Sequence, residues 1–93
     1  MADVRVTCIN KPDRNSPHEH ITHLGGNGWW WTREQVIESI EQRTNTFFVL
    51  DTGTGKRSEV GVVNPGGGRP KYLRTHADGA WNDNLLALPE CRR

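Results

Sequence analysis

Trp29-Trp30-Trp31-Thr32-Arg33-Glu34-Gln35-Val36-Ile37 is the stretch whose reading decides the fold. Thr32 and Gln35 have the spacing of a reciprocal helix cap. The threonine oxygen accepts from the Gln35 backbone N–H, and the Gln35 side chain reaches back to Thr32. Trp31 precedes the cap and Val36 is the fourth helical residue, which is the spacing of a hydrophobic staple. Val36, Ile37 and Ile40 recur at three and four residues and form one apolar stripe, with Glu34, Glu38, Glu41 and Gln42 off it. Glu34 in the first turn and Arg43 in the last complement the helix dipole. The pattern predicts a helix over residues 33–44 that must dock, because so short a helix does not hold alone in water. Three adjacent indoles cannot all point one way. Core anchoring of one or two of them, at a few kcal/mol each, outweighs the alternative of an exposed stacking surface.

Upstream, residues 3–9 alternate, with Val4, Val6 and Cys8 on one face, and read as a half-buried strand. Residues 10–17 are turn formers and charges, hence a loop. Residues 18–24 alternate weakly and read as a second strand, and 25–28 as a flexible connection into the tryptophans. Downstream, Asn45 is the expected left-handed stop of the helix. Residues 47–50 suit a central strand, 51–55 a hairpin loop, and 56–63 the returning strand. A looser turn at 64–68 leads to a strand over 71–75. That strand puts Tyr72, Arg74 and His76 on one face and Leu73 and Thr75 on the other. Asp78-Gly79 turns the chain, and residues 84–93 form a C-terminal arm over the core. The expected fold is α+β: one helix packed on a small antiparallel sheet, in the order β-β-α-β-β-β.

The chain has 93 residues, 33% of them hydrophobic and 25% charged, with a net charge of +1. One domain, residues 1–93, is expected by length. So balanced a charge gives no global attraction to nucleic acid or to an anionic surface. No apolar run resembles a signal peptide or a membrane span, so a cytoplasmic protein without a membrane partner is expected. Cys8 and Cys91 are then expected as reduced thiols; whether they meet in space is open at this level.

Familiar chemistries fare poorly. Gly53-Thr54-Gly55-Lys56 is a hairpin turn rather than a phosphate loop, since Leu50 and Arg57 stand where that motif needs glycine and Ser or Thr. His18, His20 and His23 with the two cysteines make a conceivable zinc set, but no pair has the usual ligand spacing, and no metal or cofactor is expected. Cys91 beside a histidine and Asp78 or Asp83 is poorly placed for catalysis, because a chain end frays. The expectation is a protein that is not an enzyme. The remaining set, Lys56, Arg57, Arg69, Lys71, Tyr72 and Arg74 on the last two strands and their turn, could contact phosphates and stack a base, or simply form a solvated sheet face.

His20-Ile-Thr-His-Leu-Gly-Gly26, Trp31-Thr-Arg-Glu-Gln-Val-Ile37, Lys71-Tyr-Leu-Arg-Thr75 with Ala77-Asp-Gly79, Asp83-Asn-Leu-Leu86 and Leu88-Pro-Glu-Cys91 follow one another in this order. The string resembles the domain of unknown function 3892 family, small and mostly bacterial proteins. The resemblance implies no activity. It implies that the pattern concentrates at Gly25, Gly26, Lys71, Tyr72, Arg74, Asp78, Asn84 and Cys91. The resulting expectation is a binding module whose recognition face is Arg69, Lys71, Tyr72, Arg74, His76, Asp78 and Asn84, on the last strands and the arm. A protein or nucleic-acid partner is expected, the chain itself being a monomer or a weak homodimer through an exposed indole and an open sheet edge.

Overall fold

A computed structural model describes residues 2–13, 18–51, 53–77 and 79–91. The described residues form eight strands and one α-helix: β1 (Ala2–Arg5), β2 (Cys8–Asn10), β3 (His23–Gly26), β4 (Trp29–Thr32), α1 (Arg33–Glu41), β5 (Asn45–Leu50), β6 (Arg57–Val63), β7 (Tyr72–Ala77) and β8 (Ala80–Asn82). A short 3-10 helix spans His18–His20. The α+β class holds. The single antiparallel sheet does not, because there are two sheets, ordered β1-β5-β6-β7-β8 and β2-β3-β4. The larger one is mixed, since β1 runs parallel to β5 while the other pairs are antiparallel.

The two sheets are joined by one run of backbone that changes partner at Val6-Thr7. The Val6 N–H donates to the Phe48 carbonyl of the first sheet, and the next N–H, of Thr7, donates to the Gly25 carbonyl of the second. The alternation of side chains changes phase at this crossing. Val6 is buried on one side of it and Ile9 on the other, so Ile9 rather than Cys8 faces the core. Period-two reading cannot anticipate such a switch, because it assumes one partner along the whole run.

The expected flexible connection at residues 25–28 is instead the end of β3 and a tight turn, and the tryptophans that follow form β4, paired with β3 through Leu24↔Trp31 and Gly26↔Trp29. Asn27-Gly28 closes the hairpin, with Gly28 at φ 84°. Strand geometry sorts the indoles. Trp29 and Trp31 lie on the core side against Phe47, with ring centroids 5.7 and 6.0 Å away. Trp30 lies on the other side, stacked on His23 at 4.1 Å, and its Nε1 donates to Asn10 Oδ1 at 2.8 Å. Gly25 and Gly26 serve close approach rather than flexibility. A Cβ on Gly26 would stand 2.6 Å from the Arg5 carbonyl oxygen and collide with the Trp29 ring.

The helix begins as read. Gln35 N donates to Thr32 Oγ1 at 3.2 Å and Thr32 N to Gln35 Oε1 at 2.9 Å. Val36 and Ile37 are buried in one core with Leu24, Phe47, Val60 and Leu73. The helix ends earlier than expected, at Glu41, and its left-handed residue is Arg43 (φ 58°) instead of Asn45, which opens β5. Arg43 N donates to the Ile40 carbonyl and Thr44 N to the Ser39 carbonyl, which is a complete Schellman closure without its usual glycine.

Cys8 and Cys91 are joined as a disulfide between residues 83 positions apart, which corrects the expectation of reduced thiols. Linking two points so distant restricts the unfolded chain by roughly 4 kcal/mol. The arm reaches Cys8 by running beside β2: Ile9 N donates to the Pro89 carbonyl and Cys91 N to the Ile9 carbonyl, making a parallel bridge at Glu90.

Arg43 carries the steric cost of a left-handed residue with a Cβ, while its own backbone bonds are kept by any residue there. Arg43→Gly is therefore expected to stabilise the protein by about 1 kcal/mol in chemical denaturation, net of glycine's extra chain entropy. An unchanged or lower midpoint would show that the Arg43 side chain contributes more than its backbone strain costs.

Candidate functional site

The outer face of the larger sheet, away from α1, is where the structure gathers chemistry. Along β7 the buried residues are Leu73 and Thr75, and Tyr72, Arg74 and His76 turn outward and half-buried. The register places Glu59, His76 and Trp81 in one row across β6, β7 and β8, with Gly61 beside Arg74 in the next. Trp81, at 47% exposure, is the exposed large hydrophobic side chain among the described residues. His76 meets it edge to face, with centroids 5.3 Å apart. Both rings lean over Gly61, where a Cβ would be 3.0 Å from the His76 ring and 3.3 Å from that of Trp81. Arg57, at the start of β6, lies with its guanidinium 4.1 Å over the ring of Phe48 on β5.

The cations of this face are largely spoken for. Arg57 bonds both Asp3 and Glu59, at 2.6 and 2.7 Å; its bond to Asp3, together with that from Thr46 Oγ1, holds the Asp3 carboxyl below the usual carboxylate range. Arg74 donates to Asp83 at 3.0 Å and to the Asn82 carbonyl at 3.3 Å. Such exposed pairs add little stability. They do cancel the positive field that a phosphate backbone would need.

The expected recognition residues divide. Tyr72, Arg74 and His76 share the outer face. Lys71 lies on the opposite side, bonded to Glu41 near the end of α1 at 2.6 Å. Arg69 sits exposed in the turn between β6 and β7. Asn84 is turned inward and does structural work. Its Nδ2 and that of Asn82 both donate to Ser58 Oγ, while Thr75 Oγ1 donates to Asn82 Oδ1 and accepts from Leu85 N. This network satisfies buried polar groups where the arm leaves the sheet, around the fully buried Leu85. Asp78 lies outside the described residues.

Sequence reasoning missed Trp81, Gly61 and Phe48. A signal for Trp81 was present: Asp78-Gly79 is a strong hairpin turn, and extending the alternation through it places Trp81 beside His76. The conceivable zinc set is dispersed. His18 and His20 lie on the 3-10 helix, His23 stacks on Trp30, and the cysteines are bonded to each other. Among the described residues, no three His, Cys, Asp or Glu side chains converge as metal ligands.

His18 is the buried ionisable group at the margin of this face. Its Nε2 has no hydrogen-bond partner and lies 3.8 Å from Asp83 Oδ1. Burial and the nearby Arg74 charge lower its pKa, against an opposing pull from Asp83 and Glu19.

These features define a small α+β domain of two sheets with one wet, aromatic-bearing sheet face. The chain belongs to the family of proteins of unknown function described as DUF3892, whose model matches residues 5–89. Neither the curated proteins nor the solved structures contain a match. No helix among the described residues is long and apolar enough to cross a membrane.

A histidine with a depressed folded pKa favours the native state fully only above its unfolded value, near 6.5, and that stability is lost as pH falls towards the folded value. The denaturation midpoint should therefore drop between pH 7.5 and pH 5, and the drop should be smaller in His18→Gln. Equal drops in the two proteins would mean that His18 is readily protonated in place.

Proposed function

We propose that this protein is a non-enzymatic binding module that recognises another protein through the outer face of β6, β7 and β8. Trp81 carries this reading. A large apolar ring held half-exposed on a rigid sheet, steadied by His76 and given room by Gly61, has the make-up of an interface anchor. Tyr72 and Arg74 extend the patch along β7, and aromatic residues with arginine are the types enriched at protein interfaces. Arg57 stacked on Phe48 continues the same surface to β5. The pairing of Arg57 and Arg74 with carboxylates favours a protein over a nucleic acid. Self-association through an edge is opposed by charge: β1 is short and carries Asp3 and Arg5, both exposed.

Affinity capture from the source cell with wild type, Trp81→Ala and Arg43→Gly as a folded control tests this reading. A partner retained by wild type and the control but lost at least tenfold by Trp81→Ala is the expected result. Retention by Trp81→Ala contradicts it. Tight, steeply salt-dependent binding of a mixed-sequence single-stranded oligonucleotide would replace the protein partner with nucleic acid. A concentration-dependent doubling of mass by light scattering, abolished by Trp81→Ala, would replace it with a second copy.

A further inference from the structure

The disulfide lies away from the proposed recognition face, on the outer side of the smaller sheet, and its surroundings are specific. Cys8 pairs with Gly25 across β2 and β3, and a Cβ on Gly25 would stand 2.9 Å from each sulfur and 3.3 Å from the Trp30 ring. The bond therefore occupies the hollow that only glycine leaves. What it holds is the last described stretch of the chain. Beyond the buried Leu85, residues 89–91 are attached to β2 by two backbone hydrogen bonds at Ile9 and by Asn10 Nδ2 donating to the Cys91 carbonyl at 3.1 Å.

Three hydrogen bonds are a weak hold, because each exchanges with water at small net gain. The arm is also a dividing wall. A cleft of about 370 Å³ on one side and one of about 400 Å³ on the other share Leu88 and Pro89 as lining. The first reaches Ile9 and the second reaches Val6 and Thr7. Moving this wall would join the two clefts along the β1–β2 run and uncover the Ile9 N–H and C=O, an open strand edge of the kind that accepts an extended segment.

We propose that Cys8–Cys91 is a redox latch: oxidised, it fastens the C-terminal arm along β2, and reduced, it releases the arm and opens the β2 edge while the rest of the fold stays closed. The reductant is a dithiol. One of its thiolates attacks a sulfur of the pair, the S–S bond breaks, and the other cysteine leaves as a thiolate. The second thiol of the reductant then displaces the mixed disulfide. The protein gains two electrons and two protons as free Cys8 and Cys91, and the dithiol becomes its own disulfide.

Amide hydrogen exchange on the full chain, in air-oxidised form and in excess dithiothreitol, reads the latch residue by residue, with thiol titration reporting the redox state. On reduction, the Ile9 and Cys91 amides should speed up at least tenfold more than those of Val36, Val62 and Leu73, which gain only what the lost cross-link takes from global stability. Cys91→Ser should show the fast pattern without reductant and not respond to dithiothreitol. The latch is overturned if Ile9 stays protected when two free thiols are titrated. It is equally overturned if Leu73 and Val36 speed up by as large a factor as Ile9, which makes the bond a global staple only, or if the air-oxidised protein already titrates two thiols.

Discussion

The two sheets of this fold meet at the Phe47 ring. It projects from β5 in the larger sheet, is 1% exposed, and receives Trp29 and Trp31 from β4 in the smaller one. Trp29 and Trp31 are themselves edge to face, with centroids 5.9 Å apart. Trp31 also immediately precedes the Thr32 cap of α1, so the strand that carries this ring leads straight into the helix. A chain only 33% hydrophobic has few ways to bury enough surface, and three large aromatic rings in mutual contact concentrate that burial at one point. Offset and edge-to-face contacts are directional, so they fix orientation as well as excluding water.

The arrangement leaves two different outer surfaces. On the smaller sheet the outward side is consumed by intramolecular contacts: His23 on Trp30, Asn10 on Trp30 Nε1, and the disulfide seated over Gly25. On the larger sheet the outward side carries Trp81, His76, Tyr72 and Arg74 with no layer of secondary structure described above it. Its charges are paired within the face, and its aromatic residues are held by glycine and by each other. A rigid, locally neutral and partly apolar surface suits recognition of another protein better than capture of a polyanion.

The parts of this structure that were legible in the sequence are those decided by neighbours along the chain. The Thr32–Gln35 cap, a hairpin loop between the strands before residue 51 and after residue 55, and the facing of Tyr72, Arg74 and His76 all follow from spacing alone. The parts that were not legible depend on distant partners. The change of sheet at Val6-Thr7 needs β5 on one side and β3 on the other, and neither is visible from residues 3–9. Gly25 and Gly26 read as a linker because a missing side chain signals freedom as readily as close approach, and only the Arg5 carbonyl, the Trp29 ring and the two sulfurs decide between them. The cysteines were judged by compartment, an argument that has no access to where Cys91 lands. Asn84 reads as a binding-face residue from the family pattern and its exposed type, whereas its amide is used inside, on Ser58.

A double-mutant cycle on Trp31→Leu and Phe47→Leu, measured by guanidinium denaturation, tests most directly whether one aromatic contact couples sheet, sheet and helix. The two rings meet at 6.0 Å and 66°, a geometry for which a coupling of about 1 kcal/mol is expected beyond the loss of buried area. Costs that simply add, to within a few tenths of a kcal/mol, would contradict it.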